Sequence, residues 1–371
     1  MPDFEFTDRE VEQLRQKLGD WYARHRRELP WRGIDDPYKT WIAEIMLQQT
    51  QVATVVDYYE NWLERFPDVD AVADSEVDEV LEAWEGLGYY RRARYIHRSA
   101  RTIVEDYGGD LPEEADELEE LPGIGPYTAG AIASIAFDEP EPVVDGNVSR
   151  VLSRLRAIEG DPKSTDNKKI YWRLADRLVD PEAPGDFNQA VMELGATVCT
   201  PTDPNCLLCP IREECEGFER GDPEQYPDTA SRARQKPVHV QTGVLLAHHD
   251  TGTDTYVMKR PADGLLGGLW EFPTVEVGDG DDGDELVAAF LADELDLPDF
   301  VAAEVREVDQ ITHLFSHLRM TIDIRIRELE VDESLAVPVE AIEEAGAGWL
   351  GLDRLEEVPM SAAMRRVESH L

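Results

Sequence analysis

With 371 residues the chain exceeds the usual size of one domain, so two domains, each burying its own core, are the first expectation. Its hydrophobic content and eight tryptophans are those of a folded globular protein; no apolar run is long enough for a bilayer, and the acidic start of the chain lacks the basic-then-apolar pattern of a secretory signal, so a soluble, cytoplasmic protein is expected. The net charge of −43, taken alone, argues against nucleic-acid binding, because surfaces that grip phosphates are basic.

The acid is spread over both halves, with Arg far outnumbering Lys, which suggests whole-surface acidification suited to high salt rather than an acidic tail. From Thr7 to about Phe218 apolar residues recur at helical spacing, as in Trp41, Ile42, Ile45 and Met46 and then Val52, Val55, Val56 and Tyr59, so the first domain is expected to be all-α. Pro30, Pro37, Pro67, Gly86, Gly88, Pro112, Gly123 and Gly125 fall where helices start and stop. Two basic islands interrupt the acidic background: Arg91, Arg92, Arg94, Arg98 and Arg101 with His97 among them, and Arg150, Arg154 and Arg156. Each fits either a phosphate-binding face or an ordinary solvated helix face.

An acidic helix starting near Pro112 and an apolar helix running through Ala136 flank Leu121-Pro122-Gly123-Ile124-Gly125-Pro126-Tyr127-Thr128-Ala129, a helix-hairpin-helix pattern. Its two glycines permit a tight turn, and the helix start beyond them offers backbone N–H groups to a phosphate without needing surface lysines. Cys199, Cys206, Cys209 and Cys215, the only cysteines, are separated by six, two and five residues. Four thiolates so close suit tetrahedral zinc or an iron–sulfur cubane, and spacing alone does not separate the two. Glu219 to Pro237 is polar, proline-bearing and aperiodic, and is expected to be a linker. Beyond it, Val238–Leu246, Tyr256–Met258 and Met320–Ile326 alternate as strands, so residues 238–371 are expected to form an α/β domain, with an acidic loop at Asp279–Glu285.

The cysteine spacing at the close of a helical domain, the hairpin upstream of it and Val144-Asp145-Gly146-Asn147-Val148 between them resemble the endonuclease III superfamily of DNA glycosylases. That resemblance implies a 4Fe-4S cluster on the four cysteines and a catalytic role for Asp145. Leu29-Pro30-Trp31-Arg32, Glu44 with Leu47-Gln48-Gln49-Thr50, and Gly86-Leu87-Gly88-Tyr89-Tyr90 are similar to the adenine glycosylase family, MutY, over nearly the whole chain. The resemblance implies that Glu44, in mostly apolar surroundings, is the general acid, that Asp145 stabilises the sugar cation, and that Tyr127 and Asn147 orient the site. It gives Gln49 and Tyr89 the role of wedges in the base stack, lines an adenine pocket with Trp31, Arg32 and Gln189, and puts Gly123 and Gly125 on the DNA backbone. Where bifunctional members carry a nucleophilic lysine this chain has Tyr127, so a monofunctional glycosylase is expected, with an endonuclease III-like glycosylase/lyase as the alternative.

Gly267-Gly268-Leu269-Trp270-Glu271-Phe272-Pro273 and Phe315-Ser316-His317 look like the MutT-like (NUDIX) recognition domain of the same family, in which Ser316 and His317 would contact 8-oxoguanine. The candidate helix Asp284–Leu295 lacks the Arg-Glu-x-x-Glu-Glu run that would hold magnesium, so no pyrophosphatase activity is expected. The expected partner is duplex DNA with an adenine opposite 8-oxoguanine or guanine, bound by a monomer in the nucleoid.

Overall fold

The computed structural model describes residues 4–228, 235–261, 264–278, 280–293, 297–315 and 318–371. They form two compact units: the chain up to Ser75 together with the chain from Tyr95 to the linker, and Glu76–Arg94 together with the carboxy-terminal chain. Among the described residues no helix is long and apolar enough to cross a membrane.

In chain order the helices are α1 (Asp8–His25), α2 (Pro37–Leu47), α3 (Val52–Arg65), α4 (Val69–Asp74), α5 (Val77–Ala83), α6 (Arg91–Tyr107), α7 (Ala115–Glu119), α8 (Pro126–Ala136), α9 (Gly146–Leu155), α10 (Thr165–Leu178), α11 (Pro184–Thr197) and the single turn α12 (Glu216–Glu219). Local chemistry sets their ends. Thr7 opens α1 with a capping box, its hydroxyl accepting from the Glu10 N–H while the Glu10 carboxylate accepts from the Thr7 N–H. Asp36 caps α2 ahead of Pro37, and Asp145 caps α9. Leu14, Leu18 and Trp21 of α1 pack with Val151 and Leu155 of α9, Tyr171 and Leu174 of α10, and Phe187 and Leu194 of α11 in one core. By contrast, α2 and α8 are buried almost all round, as helices at the centre of a bundle must be.

The second unit is built on a seven-stranded sheet in the order β3-β2-β1-β6-β5, with β4 paired to β1 and β7 to β2. Its strands are β1 (Lys236–His249), β2 (Gly252–Lys259), β3 (Trp270–Glu271), β4 (Thr274–Glu276), β5 (Val305–Leu314), β6 (Leu318–Glu330) and β7 (Ala347–Gly351), joined by α13 (Gly283–Asp293), α14 (Pro298–Ala302), α15 (Val339–Ala345) and α16 (Ala362–Glu368). Strands β1 and β6 run parallel, from Lys236 opposite Leu318 to His248 opposite Glu330. Both faces of β1 are covered: Val240, Val244 and Leu246 meet Ile342, Met364 and Val367, while Leu245 and Ala247 meet Val287, Leu291 and Phe300. A strand buried on two sides reads as a continuous apolar run. Strand β5 is not evident from the sequence because its residues are mostly exposed and its polar and apolar positions do not alternate.

Two expectations shift. The linker reading of residues 219–237 overlaps β1 by two residues, and its first half is tied down, with Tyr226 buried and its carbonyl accepting from Arg154 Nε at 3.0 Å. One aromatic anchor leaves no periodic signature. The basic island of Arg150, Arg154 and Arg156 is not a surface patch either, since Arg154 and Arg156 are buried, and in the first island Arg92 and His97 are buried as well.

The close packing of α8 yields a test. A Cβ on Gly130 would lie 2.4 Å from the Pro142 carbonyl oxygen, a backbone atom that cannot swing aside. Gly130→Ala is expected to lower stability by about 1–3 kcal/mol, read as a fall in the denaturation midpoint without a change in denaturant slope.

Candidate active site

Glu44 lies in the middle of α2, where Tyr38 and Thr40 through Met46 are all buried. Helix α8 delivers Tyr127 one residue past its Pro126 start, and the Tyr127 hydroxyl donates to Glu44 Oε2 at 2.8 Å and lies 3.4 Å from Met192 Sδ on α11. Burial pushes the Glu44 carboxyl up to about 7; the Tyr127 hydrogen bond opposes this, nearby Asp145 adds to it, and Arg32 opposes it from further off. Burial beside two carboxyls also drives the Tyr127 phenol well above its ordinary value, so it stays a hydrogen-bond donor.

Asp145 occupies a different environment although it too is largely enclosed. As the cap of α9 it accepts from the Val148 N–H at 2.7 Å through Oδ1 and from Asn147 Nδ2 at 2.9 Å through Oδ2. Burial raises its pKa, while these two donors and the Arg150 guanidinium pull it back toward the ionised form. The two carboxyls are thus close enough to feel each other and unequal in what surrounds them: one has a single hydroxyl, the other a helix start and a cation.

Asn147 accepts in turn from Arg150 Nη2 at 2.8 Å, and Arg150 also donates to the Cys199 carbonyl at 2.7 Å and the Gly195 carbonyl at 2.8 Å. One turn on, Arg154 donates to Cys199 Sγ at 3.3 Å and to the carbonyls of Thr200 and Pro201. Helix α9 therefore carries the capping aspartate at one end and clamps the start of the cysteine loop along its length. Its arginines serve this clamp, which is why they are scarce at the surface.

The four cysteines are free thiols, each partly buried. Burial pushes the Cys209 thiol up to about 12 and raises Cys206 and Cys215, and each of these three is raised further by charge on its cysteine neighbours. Among the described residues no group of three His, Cys, Asp or Glu side chains stands at metal-coordinating geometry. The donor set nonetheless fits a cationic centre: four neighbouring thiols can become thiolates together only around a group that takes up their charge.

Arg32 donates to Glu193 Oε2 at 2.6 Å and lies over the Tyr22 ring, and Arg27 Nε meets Glu193 Oε1 at 2.7 Å. The two arginines hold the Glu193 carboxyl down to about 2 against the effect of its burial. Tyr22 donates to Gln189 Oε1 at 3.1 Å, one turn before Glu193 on α11. The structure thus brings Arg32 and Gln189 together around Tyr22, whereas Trp31 is buried edge-on against Tyr59. Tyr22, Arg27, Met192 and Glu193 are missing from the sequence-based site; the one acid in the apolar stretch Ala190–Ala196 of α11 is the signal that could have found Glu193.

Gln49 and Tyr89 are both exposed and both sit in left-handed backbone, at φ 58° and 51°. Such a conformation is uncommon for residues with a Cβ and gathers at functional positions. In the hairpin only Gly123 turns left-handed, at φ 82°, and a Cβ there would strike the Tyr95 ring at 2.6 Å. Gly125 has ordinary backbone, caps α8 without a side chain and has nothing within 4 Å of where its Cβ would be, so its value is open approach rather than turn geometry. Ser316 and His317 lie outside the described residues.

Residues 42–177 match the HhH-GPD superfamily of base excision DNA repair proteins and residues 243–370 match the NUDIX domain. The adenine DNA glycosylase of Homo sapiens is 38% identical over 413 aligned residues, spanning 96% of this chain and 74% of that protein. A thermostable thymine-DNA glycosylase structure superposes with a TM-score of 0.54 at 28% identity, over 58% of this chain and 100% of that one. Endonuclease III in a non-covalent complex with DNA gives a TM-score of 0.50 at 22% identity, over 58% and 99% respectively, a likeness of fold.

The Glu193 network makes a prediction independent of any activity. Glu193→Gln leaves two guanidinium groups short of a carboxylate and is expected to cost on the order of 3 kcal/mol in denaturant unfolding. Because its folded value lies below the ordinary 4.5, the wild-type advantage over this variant should be full above about 4.5 and vanish as pH falls through about 2.

Proposed function

The chain belongs to the adenine DNA glycosylase family, and from that membership we propose that it is a monofunctional glycosylase that excises adenine mispaired with 8-oxoguanine or guanine in duplex DNA. The observation that carries the proposal is Glu44: a carboxyl buried in apolar surroundings, held by one hydroxyl, pushed up to about 7, and set beside a second carboxyl kept closer to ionisation. That is an acid with a proton to give at neutral pH next to an anion that can meet a cation.

In the proposed reaction adenine leaves the stack and enters a pocket formed by Arg32, Gln189 and Trp31, while Gln49 and Tyr89 fill the gap. Glu44 protonates adenine N7, and the C1′–N9 bond breaks with its electron pair going to the base. The positive charge left on the sugar is met by the Asp145 carboxylate, electrostatically or by transient bonding. Water then adds at C1′ and gives up its proton to the Glu44 carboxylate, leaving free adenine, an abasic site and a Glu44 restored to its acid form. Tyr127 and Asn147 hold the two carboxyls in register. Tyr127 offers no amine for a Schiff base, so the strand stays intact until alkali is applied.

Cys199, Cys206, Cys209 and Cys215 would hold a 4Fe-4S cluster, which when bound supplies a structural and redox-responsive anchor rather than bond-breaking chemistry. The sheet domain would read the opposite strand, with Ser316 and His317 at 8-oxoguanine. Helix α13 turns Val287 and Leu291 inward and has no run of carboxylates for magnesium, which supports recognition rather than pyrophosphate hydrolysis. The acidic surface fits work in concentrated salt, where the Debye length shrinks to about 3 Å at 1 M and long-range repulsion from DNA is screened.

Single-turnover assays in molar KCl on an adenine:8-oxoguanine duplex test this reading. Cleavage confined to the adenine strand and dependent on alkali is expected, with Glu44→Gln slower by about 10²–10⁴-fold at unchanged DNA affinity. The wild-type rate should fall as pH rises through about 7, where Glu44 loses its proton. Cleavage of an oxidised-pyrimidine duplex without alkali would instead establish the glycosylase/lyase.

A further inference from the structure

Tyr89 occupies the tip of the turn between α5 and α6 with 41% of its surface exposed and its backbone left-handed. A bulky side chain in that conformation does not hold itself, and the structure shows what does. The Arg92 guanidinium, buried to 8% exposure, lies over two rings, 5.1 Å from the centroid of Trp84 and 5.5 Å from that of Tyr89. From that position its Nη2 donates to the Gly88 carbonyl at 3.0 Å and the Leu87 carbonyl at 3.3 Å, the two residues that lead into Tyr89.

The same turn is pinned from other sides. Trp84 Nε1 donates to the Gly88 carbonyl at 3.1 Å, the Gly86 N–H donates to the Tyr90 hydroxyl at 3.1 Å, and that hydroxyl donates to the Met360 carbonyl at 3.3 Å. The Arg92 N–H closes the turn on the Tyr89 carbonyl at 2.9 Å. Burying a guanidinium is costly, and desolvation pulls its pKa down to about 10.

We propose that Arg92 is the positioning residue for the Tyr89 wedge: its guanidinium, set over the Trp84 and Tyr89 rings while its Nη2 fastens the Leu87 and Gly88 carbonyls, keeps the tyrosine ring ready to enter the base stack. In this role Arg92 touches no DNA and acts through Tyr89. The proposal rests on the wedge reading of Tyr89. A planar guanidinium is required, because an ammonium keeps the charge but cannot stack on two rings and bridge two carbonyls at once.

The test is a double-mutant cycle on the full-length protein in molar KCl, reading single-turnover adenine release and, separately, the fluorescence of 2-aminopurine placed at the target position opposite 8-oxoguanine. Tyr89→Ala should slow release and suppress the fluorescence rise that reports extrusion. Arg92→Met and Arg92→Lys should each slow release by about ten- to thirtyfold and suppress the same signal, as expected for loss of a desolvated cation–π and hydrogen-bonding contact. In the Tyr89→Ala background, Arg92→Met should add nothing. Multiplying losses in the double variant, or an Arg92→Lys protein as active as wild type, would overturn the positioning role and leave the wedge intact. An unchanged Tyr89→Ala signal would remove the wedge itself and the proposal with it.

Discussion

The structure turns on keeping one carboxyl away from water. Glu44 is embedded in a helix whose every residue from Thr40 to Met46 is buried, which holds it out of solvent. Its hydrogen-bond partner, the Tyr127 hydroxyl, arrives on α8, and α8 sits there because Gly130 lets it approach the Pro142 carbonyl and the Val143 side chain. The same segment runs on to Asp145, whose helix-capping position supplies the donors that Glu44 lacks. Two carboxyls of similar intrinsic acidity are thereby separated in behaviour by where the fold puts backbone N–H groups.

The distribution of cations follows from a second constraint. A chain with net charge −43 has few arginines to spend on phosphates, and many of them are turned inward: Arg150 and Arg154 to the cysteine loop, Arg27 and Arg32 to Glu193, Arg92 to the Tyr89 turn. Of the first basic island Arg91, Arg98 and Arg101 stay exposed, Gly125 starts α8 in open space, and Gln49 and Tyr89 are carried on left-handed backbone.

Much of the fold is visible in residue pattern. The helical period of the first domain, the Asp and Thr caps, the hairpin and the apolar run of β1 all have local signatures, and each corresponds to an element. What the pattern hides is whatever depends on distant partners. Strand β5 is polar and exposed and is defined only by pairing with β6. Arg154 and Arg156 look like a basic patch until burial shows them facing inward. The Glu193 network joins residues some 160 positions apart, so no spacing rule reveals it, whereas Gln189 and Glu193, one turn apart on α11, could have been paired by helical spacing. Glu44 itself is legible as a carboxyl in an apolar helix, but the hydroxyl that holds it is 83 residues away.

The account stands or falls on the protonation state of Glu44, which difference infrared spectroscopy measures without any DNA. Spectra of the wild-type protein minus Glu44→Gln, taken across the neutral range, should show a protonated-carboxyl stretching band that disappears with a midpoint of about 7. A band already gone well below neutrality, titrating near the ordinary 4.5, would mean that Glu44 is an anion at working pH and cannot be the acid that releases the base.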